Sequence, residues 1–211
     1  MRDFIAFLRA YLPPPPARVL EVGAGSGELT TALAVAGYDV VGIDPLAPHG
    51  DRFRRLKLED LDDEEEPPRD AVVAARSLHP IRDLEAATEK IERLLRPGGV
   101  VAVEELAWER ADEPTLAWLL EQRRAAAEAG GPAAPASVAE LREEWEADRV
   151  GSHTSEPLLS NLRGRFEELA YEPAPFLHRL LGSAGSVVLE QALIDAGAIR
   201  ALGFRFAGRR R

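Results

Sequence analysis

Apolar residues along the chain switch between helical spacing and short continuous runs, and the order of these segments predicts an α/β chain. Phe4, Phe7, Leu8, Tyr11 and Leu12 fall at helical spacing over residues 3–12, and Pro13 to Pro16 stop that helix and hold an extended spacer. Val19 to Val22 is a short apolar strand that runs through glycines 23, 25 and 27 into a helix ending near Ala34. Tyr38 to Asp44 reads as a second strand, Phe53 to Leu58 as a third, and Arg69 to Pro80 carries a fourth. Over residues 83–95, Leu84, Ala87, Ile91, Leu94 and Leu95 recur at threes and fours, an amphipathic helix ended by Pro97-Gly98-Gly99. The run Val100 to Val103 is short, apolar and β-branched, as a buried parallel strand should be.

The pattern changes over residues 107–150, which are rich in Ala, Glu and Arg and broken by Gly130-Gly-Pro-Ala-Ala-Pro135. Two helices and a loop are predicted there, the second opened by a capping box, Ser137-x-x-Glu140. Leu158, Leu159, Leu162, Phe166 and Leu169 predict a further helix over 154–170. A strand is then predicted over Phe176 to Leu181, a helix over Val187 to Ala196 ended by Gly197, and a last strand over Ala198 to Ala207.

Chemistry concentrates at the glycine turn. Glycines at 23, 25 and 27 leave a ligand room for close approach, and the helix that follows offers unpaired N–H groups. A dinucleotide fingerprint would need its third glycine at 28, where the chain has Glu28, and Glu21 stands two places before the first glycine. An acid there suits a cationic ligand better than a pyrophosphate. The second strand ends in Asp44, twenty-one residues after Gly23, where doubly wound sheets hold a ribose diol.

Glu-x-Gly-x-Gly-x-Gly resembles motif I of the class I S-adenosylmethionine (SAM) methyltransferases. The resemblance continues in Arg69-Asp-Ala-Val-Val-Ala-Ala-Arg-Ser-Leu-His-Pro80 and in Leu94-Leu-Arg-Pro-Gly-Gly-Val-Val-Ala-Val-Glu104, so it spans roughly residues 17–106. It implies a doubly wound, mostly parallel seven-stranded α/β sheet, Rossmann-like, in a single domain over 1–211. Residues 1–16 would form an N-terminal helix and connector, and 107–150 a helical cap insertion. The implied cofactor is SAM, held by Glu21, Gly23, Ala24, Gly25, Gly27, Asp44, Pro45, Arg76 and Ser77. Glu59 or Asp60 is expected to meet the adenine amine, and spacing does not choose between them. His79, after the fourth strand, is a candidate base, although Pro80 replaces a second histidine that the family often has. His153, in a polar turn, is the other candidate. One of Glu104 and Glu105 is expected to point into the pocket and the other to face solvent or a structural arginine. Trp108, Trp118, Trp145 and Tyr171 are candidates for lining an aromatic acceptor site or for packing.

Composition narrows the partners. The 211 residues suit one α/β domain, and the absence of cysteine excludes disulfides and thiol chemistry. A net charge of −10 argues against nucleic acid as a partner, and Arg52, Arg54, Arg55 and Arg209 to Arg211 read as solvated surface. No segment approaches the ~20 apolar residues of a membrane span, so a soluble cytoplasmic protein is expected. Histidines 49, 79, 153 and 178 show no metal spacing, and no essential metal is expected. The functional expectation is O- or N-methylation of a small organic molecule by in-line transfer, with a homodimer contact through 107–150 left open. The competing readings are an NAD(P)-dependent oxidoreductase and a non-catalytic SAM-binding module.

Overall fold

The computed structural model describes residues 2–181 and 186–211. The strands are β1 (Arg18–Val22), β2 (Asp39–Ile43), β3 (Phe53–Arg54), β4 (Arg69–Ala75), β5 (Leu95–Leu106), β6 (Phe166–Ala174) and β7 (Gly203–Arg210). The helices are α1 (Arg2–Tyr11), α2 (Glu28–Val35), α3 (Leu84–Leu94), α4 (Glu113–Glu128), α5 (Val138–Ala147), α6 (Ser155–Arg165) and α7 (Ser186–Asp195). All seven strands join one doubly wound sheet in the order β3-β2-β1-β4-β5-β7-β6. β1 is parallel to both β2 and β4, and β4 is parallel to β5. Strand order therefore reverses between β1 and β4, and in such sheets the crevice beyond the strand ends at that reversal is where ligands bind.

The chain divides into two compact units, the first comprising residues 1–105, 156–172 and 205–211. Period-2 alternation gives its strands two buried faces. Val19, Val40, Ala71, Val73, Val100 and Ala102 pack in one cluster with Phe4, Phe7, Leu8 and Leu12 of α1 and with Leu29 and Leu33 of α2. Leu20, Val72, Val101 and Val103 occupy the alternate positions and are also buried, as are Leu84, Ala87, Ile91 and Leu94 of the crossover helix α3. Asp83 caps α3 by accepting the Ala86 N–H at 2.9 Å. On β2, Gly42 lets α2 approach closely, because a Cβ there would overlap Thr30 and lie 2.7 Å from Ala24 Cβ.

The second unit comprises residues 106–155 and 173–204. Leu116, Leu119 and Leu120 of α4 pack with Leu141 and Trp145 of α5 and with Leu106, Phe176, Leu177 and Leu202. The serine half of the capping box forms, with Ser137 Oγ accepting the Glu140 N–H at 3.2 Å, while Glu140 reaches one residue further back and accepts the Ala136 N–H at 2.7 Å. The Trp145 indole donates to the Trp108 carbonyl at 3.0 Å. Among the described residues no helix is long and apolar enough to cross a membrane.

Several elements differ from the sequence expectation. The third strand is only Phe53–Arg54, because the Leu56 N–H turns back onto the Arg54 carbonyl at 3.1 Å and the chain leaves the sheet. α3 ends before Pro97-Gly98-Gly99: Leu95 is already extended, and those residues lie in β5 at a register shift between its pairings with Arg69 and Ala71. The helix expected over 154–170 stops at Arg165, and residues 166–174 form β6 at the edge of the sheet. The strand expected over 176–181 is instead a single 3₁₀ turn, Leu177–Arg179.

Candidate active site

The turn after β1 is fixed by its neighbours on both sides. Gly23 and Ala24 donate their N–H groups to the Ile43 carbonyl at 2.8 and 3.0 Å, and Ser77 Oγ donates to the Val22 carbonyl at 2.5 Å. The loop after β4 therefore presses on the turn, and a Cβ at Gly23 would overlap the Ser77 side chain. Gly25 differs. Its φ is +51°, and a Cβ placed there would meet no protein atom within 4 Å. The turn is thus open above Gly25. Asp44 closes the far side, accepting the Gly25 N–H at 3.1 Å on one oxygen and the Leu46 N–H at 2.7 Å on the other.

A cleft of about 560 Å³ lies over this turn. Of the residues expected to hold a cofactor, Gly23, Gly25, Asp44, Pro45, Glu59, Arg76 and Ser77 line it. Glu21, Ala24, Gly27 and Asp60 are not among its lining residues. Gly27 is the left-handed N-cap of α2 with φ 82°, Ala24 is buried in the turn, and Asp60 is exposed. Glu21 shares the sheet face of Val19, so its carboxylate is turned toward α2, where Thr30 Oγ1 donates to it. Burial pushes the Glu21 carboxyl up to about 7; the neighbouring Asp44 carboxylate adds to the rise, and the Thr30 hydrogen bonds oppose it.

The segment after β4 carries two of the candidate side chains. Arg76 has φ 61°, the left-handed region for a bulky residue, at the point where β4 meets the cleft. His79 follows between the lining residues Ser77 and Pro80 but is not itself among the residues that line the cleft. Its Nδ1 lies 2.7 Å from Oε2 of Glu105, whose side chain is fully buried at the end of β5. Oε1 of Glu105 accepts the Leu78 N–H at 2.7 Å and the His79 N–H at 3.3 Å. Glu104, one residue earlier on the opposite strand face, instead accepts from Arg205 Nε at 3.0 Å. The other candidate histidine, His153, belongs to the second unit, where its carbonyl accepts the Trp108 indole N–H at 3.2 Å.

The fourth side of the cleft is Leu56, Lys57, Leu58 and Glu59, a loop braced from α3. Lys90 Nζ donates to the carbonyls of Leu58, Glu59 and Leu61 at 3.2, 2.7 and 2.8 Å. Three ammonium hydrogens meet three carbonyls. The acidic run that follows is partly stapled as well: Asp63 pairs with Arg93 at 2.6 Å and Glu66 with Arg69 at 2.6 Å, and both carboxyls are held below their ordinary values. Sequence reasoning missed Lys57, Pro80 and Ile81 as lining residues and missed the support from Lys90; it named Glu105 only as one of a pair with Glu104 and did not join it to His79. The one signal that pointed to the lysines was their rarity, two against twenty-four arginines.

A family model described as "Methyltransferase domain" matches residues 1–190. The chain belongs to the methyltransferase-domain family. Within the family's curated relatives, an uncharacterized methyltransferase of Mycobacterium tuberculosis is 38% identical over 118 residues, covering 52% of this chain and 46% of that protein. A ubiquinone biosynthesis O-methyltransferase of Xylella fastidiosa is 35% identical over 107 residues, covering 44% of this chain and 43% of the relative. These matches span about half the length of the curated relatives. Among solved structures, an S-adenosylmethionine dependent methyltransferase from Mesorhizobium loti superposes with a TM-score of 0.61 at 17% identity, over 97% of this chain and 96% of the other. That likeness is one of fold.

Proposed function

We propose that this methyltransferase-domain chain binds SAM in the cleft above Gly25 and transfers its methyl group to a small organic acceptor. The observation that carries the reading is the open cradle: a left-handed glycine with free room above it, facing a carboxylate at the end of the neighbouring parallel strand. Gly23 and Gly25 would take the amino-acid end of the cofactor, Asp44 the ribose hydroxyls, and Leu58 and Glu59 the adenine. When bound, SAM supplies a methyl carbon made electrophilic by a sulfonium. The chain's own task is then to align an acceptor with that carbon and to receive a proton if the acceptor carries one.

His79 is the group we assign to the proton, since it is partly exposed and sits in the chain between Ser77 and Pro80, which line the cleft. The O-methyltransferase among the relatives supports a hydroxyl acceptor, and the acidic chain supports a metabolite over a nucleic acid. Calorimetric titration with SAM, S-adenosylhomocysteine (SAH) and NADH tests the reading. Micromolar binding of SAM and SAH, lost in Asp44→Ala, is expected. Binding of NADH in place of both would sink it.

A further inference from the structure

We propose that Glu105 is the positioning residue of this site, holding His79 as the Nδ1–H tautomer so that Nε2 is the nitrogen that takes the acceptor's proton. The inference rests on the methyl-transfer reading above for its chemistry, but its structural content stands on the Glu105 geometry alone. The Glu105 side chain is fully buried and is surrounded by donors. Its Oε1 is committed by the Leu78 and His79 N–H groups, which can only donate. Its Oε2 faces His79 Nδ1 at 2.7 Å. A carboxylate only accepts, so the imidazole must present its N–H there, and the second ring nitrogen is left with a lone pair. The same carboxylate grips the two backbone N–H groups that set the loop, so the ring is fixed in orientation as well as in tautomer. His79 is about one quarter exposed, which leaves the ring accessible from outside the core.

In the step this serves, the O–H or N–H bond of the acceptor breaks and its proton moves to Nε2. The acceptor's lone pair forms the bond to the methyl carbon, and the pair of the C–S bond stays on sulfur. The products are methylated acceptor, SAH and an imidazolium whose Nδ1–H still rests on Glu105. Charge forms on the ring beside a buried carboxylate that is already oriented to receive it, and nothing has to reorganise.

The second unit holds an internal comparison. Glu190, also fully buried, accepts the N–H groups of Phe176, Leu177 and His178 at 2.7, 2.8 and 2.8 Å, and its Oε2 lies 3.0 Å from His178 Nδ1. It is the same construction on a histidine for which the proposed reaction has no use.

The test is long-range ¹H–¹⁵N correlation on the full chain labelled at histidine, with His79→Gln assigning the signals, at a pH above the ordinary imidazole value of ~6.5. The expected result is a proton on Nδ1 of His79. In Glu105→Gln the amide oxygen keeps the backbone donors and the NH₂ group faces Nδ1, so the proton should move to Nε2 while His178 is unchanged. A proton on Nε2 in the unaltered protein overturns the proposal, and so does a His79 signal that ignores Glu105→Gln. If that variant does not fold, the spectrum of the unaltered protein decides alone. SAH titration of the same sample keeps the two readings apart, since failure to bind sinks methyl transfer and leaves the tautomer result intact. Once an acceptor is found, Glu105→Gln should lower kcat by roughly 10²–10⁴ with KM for SAM unchanged; a loss confined to KM would count against the proposal.

Discussion

Glu21 shows how far a single residue can be read without its neighbours. Its place two residues before the glycine turn suggested a ligand contact, yet the parity of β1 puts it on the face of Val19, under α2 and bonded to Thr30. Its carboxyl titrates near 7 when folded and near 4.5 when unfolded, so between those values the folded state holds the extra proton. The stabilisation is complete below the unfolded value and is lost as pH rises through about 7, a change on the order of 3 kcal/mol. Glu21→Gln is expected to flatten this limb and to make the protein more stable than the parent at pH 8, as urea unfolding across pH would measure. Asp44 and the glycines were legible because backbone geometry demands them at fixed spacing. Glu105 was legible only as one of a pair with Glu104, because its partner His79 is twenty-six residues away and meets it only across the β4–β5 pairing.

Elements whose apolar faces pack against a sheet were legible, and those at its margin were not. α1, α2, α3 and the strands β1, β4 and β5 follow directly from spacing, since each buries a continuous apolar face. β6 does not. It is an edge strand carrying Glu167, Glu168 and Glu172, and its apolar residues continue the helical spacing of α6, so periodicity could not show where one ended. The loop after β3 was opaque for another reason: its shape comes from Lys90 on α3. Lys90→Met removes the donor from three carbonyls at once, and SAH affinity should fall about tenfold while α3 itself persists. Lys90→Arg should fail to rescue, because a planar guanidinium cannot direct three bonds from one nitrogen. Calorimetry alongside thermal melting checks this, and unchanged SAH affinity in Lys90→Met would remove the loop's assigned role.

Over the whole sheet, one ion-pair cluster ties β5 to β7 and to the edge strand β6. Arg205 on β7 reaches Glu104 on β5 at 3.0 Å and Glu172 on β6 at 2.9 Å, with only 11% of its side chain exposed. Glu104→Ala leaves the largely buried Arg205 guanidinium with Glu172 alone and is expected to cost about 1–3 kcal/mol, whereas replacing Glu104 and Arg205 together with Leu and Met should cost less. Chemical denaturation of the single and double variants separates the two outcomes. The doubly wound, mostly parallel sheet was legible from the family resemblance, and the alternation of β1, α2, β2 and β4, α3, β5 fits it. Glu104 and Glu105 are successive letters of one strand, and the pleat sends one to Arg205 and the other to the loop after β4. The two positions answer to different partners, so a substitution at 104 is felt across the sheet and one at 105 in the loop after β4, and a one-residue slip of β5 would exchange the two roles.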